Sequence, residues 1–229
     1  MTGRPGTVLV TGGSSGLGAA TVQAVQGAGG RPLVLDRVPP PSEVAHVVVD
    51  LADRPAVEAA VSELADRAGQ IDGVVTAAGI DRCGTLADVP AEEWERVVSV
   101  NLLGTVSVVR AALPHLQRSA GTVVTVASTL GVKAVSDATA YCAAKFGVVG
   151  FTRALTAELK GQVGVTLLVP GGMHTAFFDD RTEQYRPGPD AKLNRPEDVA
   201  STILFALTQP PGCEIRELVV TSSEESSWP

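Results

Sequence analysis

The chain has 229 residues, enough for one large α/β unit with a substantial core and too few for two ordinary domains. Its formal charge of −7, with no basic run of five, argues against a nucleic-acid or anionic-membrane partner. At 45% hydrophobic and 19% charged residues it reads as globular and not disordered.

The start, Met1-Thr2-Gly3-Arg4-Pro5, leads into only a short apolar run. Neither a signal peptide nor a membrane span is expected, and the protein is read as cytoplasmic. Cys83, Cys142 and Cys213 lack metal-ligand spacing, and His46, His115 and His174 form no ligand pair. Reduced thiols and no metal are the expectation. Fourteen arginines against four lysines suit a high-GC bacterial genome.

Thr7-Val8-Leu9-Val10-Thr11 is an apolar, β-branched run, a buried strand. Gly12-Gly13-Ser14-Ser15-Gly16-Leu17-Gly18 follows, and then helix-like residues 19–26. Strand, glycine-rich turn and helix start are the parts that hold a pyrophosphate: the backbone approaches closely and unpaired N–H groups face the anion. The spacing is Gly-x-x-x-Gly-x-Gly, not Gly-x-Gly-x-x-Gly.

A second strand over residues 31–36 ends at Asp36, 18 residues past Gly18, where a carboxylate can accept both ribose hydroxyls of an adenosine. That carboxylate favours NAD over NADP, although Arg37 beside it is a guanidinium that could hold a 2′-phosphate instead. The link Val38-Pro39-Pro40-Pro41-Ser42 leaves no room for a helix. The next strand, residues 45–49, ends at Asp50-Leu51, where Asp50 can reach an adenine amino group. Asp53 suits the cap of the following helix better.

Residues 55–68 have helical apolar spacing, and residues 73–79 read as a strand ending in small residues, Ala77-Ala78-Gly79. Residues 90–117 read as one long helix with Asn101 in its middle, which calls for a local kink or a bound water. Residues 121–127 form a strand that delivers Ser128 at its carboxyl end, the edge at which open α/β sheets bind ligands. Residues 141–160 are helical, which sets Tyr141 and Lys145 one turn apart on one face. An ammonium beside a phenol favours the phenolate and lowers a pKa of roughly 10 towards neutrality, making Tyr141 a candidate general acid/base. A strand at 164–169 stops at Pro170-Gly171-Gly172, a helix runs over 196–208 with Pro at its first turn, and a last strand covers 214–221. The alternation predicts one doubly wound parallel sheet, a Rossmann fold in a single domain spanning residues 1–229.

These residues together resemble the short-chain dehydrogenase/reductase family, single-domain NAD(P)-dependent oxidoreductases, over nearly the whole chain. The matches are Thr11-Gly12-x-x-x-Gly16-x-Gly18, Ala78-Gly79, Asn101, Ser128, Tyr141-x-x-x-Lys145 and Pro170-Gly171-x-x-x-Thr175, with 13 positions from Ser128 to Tyr141. The resemblance implies hydride transfer between NAD, or NADP, and a secondary alcohol or ketone. It gives Tyr141 the proton, Ser128 the reacting oxygen, Lys145 the nicotinamide ribose and the tuning of Tyr141, and Asn101 a water in a proton relay. Thr175 would anchor the nicotinamide carboxamide. A homodimer or homotetramer is implied, packed through the helices of Asn101 and Tyr141, with Val106, Val109, Val148 and Phe151 facing outward.

Three departures stand out. Thr76 replaces the first asparagine of the family's Asn-Asn-Ala-Gly, the helix between Asp36 and Asp50 is missing, and the C-terminus lacks a closing Gly-Gly segment. Residues 172–193 are read as the substrate-covering loop, with Met173, Phe177, Phe178 and Tyr185 as lid or packing residues. Leu130, Val132 and Ile80 form the opposite wall, and Asp81 or Arg82 the rim. The rival readings are an inactive dinucleotide-binding regulator of the same fold and a nucleotide-sugar epimerase or dehydratase. The latter needs a further C-terminal domain.

Overall fold

The computed structural model describes residues 3–228. Met1 and Thr2, at the start where no signal peptide is expected, and Pro229, at the end of the tail, lie outside the described residues. Seven strands form one parallel sheet in the order β3-β2-β1-β4-β5-β6-β7. They are β1 (Thr7–Thr11), β2 (Arg31–Asp36), β3 (Ala45–Val48), β4 (Gly73–Thr76), β5 (Thr122–Val126), β6 (Gly164–Pro170) and β7 (Glu217–Val220). Between them run α1 (Gly16–Gly27), α2 (Arg54–Ala68), α3 (Ala91–Val98), α4 (Thr105–Ser119), α5 (Thr139–Glu158) and α6 (Pro196–Leu207). The sheet reverses direction of travel between β1 and β4, and a ligand cleft opens at such a point in doubly wound sheets.

Alternation along each strand feeds two apolar layers. Leu9, Leu33, Leu35, Val74 and Val123 pack with α2, α4 and α5, whereas Val8, Val10, Val34, Val75 and Val124 pack with α1 and α6. The short, half-buried β3 closes one edge, and the proline-rich residues before it carry no helix. Asp53 caps α2 by accepting from Ala56 N at 3.1 Å, with Pro55 in the first turn.

The long helix predicted over 90–117 is a continuous rod, Ala91–Ser119, but its middle, Ser99–Gly104, winds as a π-helix. Asn101 causes the irregularity. Its amide donates to Ile80 O and accepts from Ile80 N, both at 2.8 Å, so the side chain is drawn out of the helix to the end of β4. By length and composition the rod could cross a bilayer, yet half of its most apolar stretch is buried within the fold. Val109 and Val148, expected on an outward face, are 1% and 0% exposed. Both sides of these helices are apolar, and it is Leu103 and Phe146 that reach the surface.

At the end of β4, Thr76 is 2% exposed, and its hydroxyl finds no hydrogen-bond partner among the described residues. A buried, unpaired hydroxyl costs on the order of 1–3 kcal/mol. Thr76→Val keeps the shape and removes that cost, so it should stabilise by about 1 kcal/mol and raise Tm by about 3 °C. A lowered Tm on thermal denaturation would show that the hydroxyl is satisfied.

Candidate active site

The turn after β1 is shaped by contacts that only glycine allows. Gly12 has φ +69°, and a Cβ there would lie 2.8 Å from Ala78 Cα; one on Gly18 would collide with the Gly12 carbonyl. Thr11 Oγ1 accepts from Ala78 N at 3.1 Å, which locks the ends of β1 and β4 side by side. Ser15, at the N-cap of α1, makes no side-chain cap bond, so the orphan N–H groups of the first turn are left for a ligand. A backbone cradle free of side chains and an uncapped helix start fit a dinucleotide pyrophosphate.

A cleft of about 720 Å³ runs from this turn along the carboxyl edge of the sheet. Gly12, Ser15, Gly16, Leu17, Gly18, Asp36, Arg37, Asp50, Leu51, Ala78, Gly79, Ser128, Tyr141, Lys145, Pro170, Gly171 and Thr175 all line it. Ser14 and Asn101 do not; each acts on the wall from behind. Ser14 N donates to Asp36 Oδ2 at 2.9 Å, and Ser14 Oγ donates to Val38 O at 2.7 Å. The other Asp36 oxygen accepts from Arg37 N and Val38 N, so three backbone N–H groups fix this carboxylate at the rim. Asp50 is held by Arg96, at 2.6 Å, and by Ala52 N. Burial raises its pKa, but those bonds outweigh it and the net shift is downward. Thr175 Oγ1 accepts from Phe177 N at 3.4 Å.

Ser128 and Lys145 meet at the end of β5. Thr125 Oγ1 and Thr152 Oγ1, 2.7 Å apart, pin α5 to the strand, and Lys145 Nζ donates to Val126 O at 2.9 Å. Tyr141 and Lys145 are 9% and 4% exposed, with Nζ 5.6 Å from the phenol ring centroid. The expected lowering of the Tyr141 pKa is not what this geometry produces. Burial pushes the phenol up, and the Ser128 hydroxyl bonded to it pulls only partly back. Burial also pushes the Lys145 ammonium down, to about 8, against the pull of Asp81. Below pH 8 the amine is still mostly protonated, so it is the burial of the phenol itself that defeats the sequence expectation here.

The far wall was only partly foreseen. Ile80 and Leu130 line the cleft, but Val132 turns away to pack beside Val148 and Val169. Phe177 packs on Tyr141 at 5.7 Å between ring centroids and also lines the cleft. Asp81, its side chain 3% exposed, pairs with Arg181 at 2.7 Å, and the guanidinium stacks on Phe177 and Phe178. Cys83 donates to Asp81 at 3.3 Å; burial and that carboxylate push the thiol up to about 11, so it stays protonated. Glu225 and Ser227, which no sequence motif marked, also line the cleft. Among the described residues no group of three acids, histidines or cysteines could hold a metal.

A family model described as short chain dehydrogenase matches residues 6–186. The chain is 35% identical over 170 residues to a hydroxy(phenyl)methylsuccinyl-CoA dehydrogenase subunit of Thauera aromatica, covering 71% of this chain and 68% of that one. It is 31% identical over 217 residues to a 3-oxoacyl-(acyl-carrier-protein) reductase of Thermotoga maritima, covering 86% and 88%. Among solved structures, ligand-free aldohexose dehydrogenase of Thermoplasma acidophilum superposes with a TM-score of 0.86 over 95% of this chain and 93% of that one, at 23% identity. That last likeness is one of fold. The chain belongs to the short-chain dehydrogenase/reductase family. It is an oxidoreductase of CH–OH groups that uses NAD or NADP.

The buried lysine makes stability depend on pH. Unfolded, Lys145 keeps its proton up to about 10.5; folded, it gives it up near 8. The unfolded state therefore binds more protons between these values, and the native state gains stability as pH rises through that window. Below 8 the whole cost of burying the ammonium remains. Lys145→Met removes the titration, so its stability relative to wild type should fall by on the order of 3 kcal/mol from neutral pH to pH 10.5. Urea unfolding at both ends of the window checks this, and parallel profiles would contradict it.

Proposed function

We propose that this protein interconverts a secondary alcohol and its ketone with NAD as the preferred cofactor, and that Tyr141 is the general acid/base. The observation that carries the reading is the convergence of Ser128, Tyr141 and Lys145 on one buried wall of the cleft. NAD, when bound, supplies or accepts the hydride. Tyr141 gives a proton to the carbonyl oxygen in reduction and takes it from the hydroxyl in oxidation. Ser128 donates to the same oxygen and stabilises charge as it develops there.

Lys145 holds the nicotinamide ribose and supplies positive charge beside the phenol. Burial works against that charge, so a cationic nicotinamide ring is the further source the phenol needs. Asn101 has both ends of its amide clamped on Ile80, so a relay role for it runs through the π-helical backbone rather than the side chain. The Gly12–Gly18 turn holds the pyrophosphate, Asp36 the adenosine ribose, Asp50 and Leu51 flank the adenine, Ala78 and Gly79 skirt the cofactor, and Pro170, Gly171 and Thr175 face the carboxamide. The protein is cytoplasmic on this reading. Exposed Leu103 and Phe146, on the rod and on α5, support a homodimer or homotetramer closed through those helices.

Tyr141→Phe should lower turnover of any alcohol found by screening by at least a thousandfold while leaving the NADH dissociation constant within about twofold. Unchanged turnover removes Tyr141 as the acid/base. NADH binding by the wild-type protein with no turnover of any alcohol or ketone in the screen would favour the regulatory alternative. The clamped Asp36 carboxylate repels a 2′-phosphate, so fluorescence titration should show NADH binding at least tenfold tighter than NADPH. The reverse preference would transfer the role to Arg37.

A further inference from the structure

The family motif accounts for Pro170 and Gly171 but gives no reason for Gly172, and it gives none for the tail that follows β7. The structure joins the two. Gly171 N donates to Val220 O at 2.9 Å, which turns the end of β7 against the end of β6. The chain then folds back, and Glu225 Oε2 accepts from Gly172 N at 3.0 Å. A side chain on Gly171 would collide with that carboxylate, so the bare backbone is its seat. Glu225 Oε1 accepts from Ser227 N at 3.0 Å and from Ser227 Oγ at 2.7 Å. Ser227 Oγ in turn lies 2.7 Å from Thr129 Oγ1, one residue past Ser128, and Lys133 Nζ donates to Ser226 O at 3.0 Å. The tail thus crosses the carboxyl edge of the sheet from β6 to β5, with Glu225 and Ser227 facing the cleft.

We propose that residues 222–228 are the end wall of the substrate pocket, and that Glu225 makes this wall close and negatively charged, so that the enzyme takes compact, uncharged alcohols and ketones. This rests on the hydride-transfer reading above. Every acceptor oxygen of Glu225 is filled by an uncharged donor, and among the described residues no cation pairs with it. Burial alone would raise its pKa, but the bonds from Ser227 and Gly172 outweigh burial and keep it ionised at neutral pH. A substrate arm that extends past Ser128 towards the tail meets steric contact, and a carboxylate on that arm meets a like charge in a half-buried setting.

Three proteins test this: the full chain, a truncation lacking residues 223–229, and Glu225→Gln. Relative to the full chain, the truncation should raise the ratio of kcat/KM for menthone over cyclohexanone at least tenfold. Glu225→Gln should raise the ratio for acetoacetate over ethyl acetoacetate at least fivefold. Hydrogen exchange at the Gly172 amide, which needs no turnover, should quicken at least tenfold in the truncation. Unchanged ratios with a faster Gly172 amide would overturn the wall, and an unchanged amide would overturn the seat itself. If none of the three proteins reduces any of these ketones, the hydride-transfer reading is what fails, and the exchange measurement still decides the seat.

Discussion

One constraint orders this molecule: an amine and a phenol are held one helical turn apart, almost fully buried in the wall of the cleft. Burial alone pushes Lys145 towards neutrality and Tyr141 away from ionisation, so the free protein keeps the Tyr141 phenol in the protonated form. The surrounding fold is what makes this arrangement hold. Two threonines pin α5 to β5, and the Val126 carbonyl takes the ammonium. The π-helical turn at Asn101 serves the same end, because it ties the long rod to the loop after β4 that flanks the pair.

The two halves of the cleft are built differently. The dinucleotide half is mostly backbone: glycines that bring β1 and α1 against β4, an uncapped helix start, and a carboxylate fixed by three N–H groups. Such a surface suits a shape common to every NAD-linked reaction. The other half is made of side chains drawn from distant parts of the chain, the half the proposed function gives to the substrate. Asp81 reaches Arg181, which stacks on the two phenylalanines of the loop, and Glu225 reaches Gly172. On the proposed function, variation in that half would change the substrate without disturbing the hydride donor's seat.

Legibility in the sequence followed the same division. Strands read as apolar β-branched runs, and the spacings within the glycine turn and the Tyr–Lys pair are local, so they could be placed before any fold was known. Asn101 announced a helix irregularity because a buried amide in a helix must find partners. Contacts across 100 positions, as for Asp81 and Arg181, or 53, as for Gly172 and Glu225, leave no local pattern. Helix faces were misjudged where both sides are apolar: Val109 and Val148 look outward in a helical projection but lie against the sheet. The pKa direction of Tyr141 failed for a different reason, since it is set by how dry the site is and not by which residues are neighbours.

The chain has only two tyrosines, Tyr141 and Tyr185, so Tyr185→Phe leaves a single phenol to observe. Ultraviolet difference titration of that variant, with and without NAD⁺, measures the Tyr141 midpoint directly. The account predicts a midpoint above that of free tyrosine in the protein alone and a fall of at least two pH units when the cofactor brings its positively charged nicotinamide ring beside the phenol. A midpoint that does not move on saturation with NAD⁺ would contradict Tyr141 as the group that exchanges the proton.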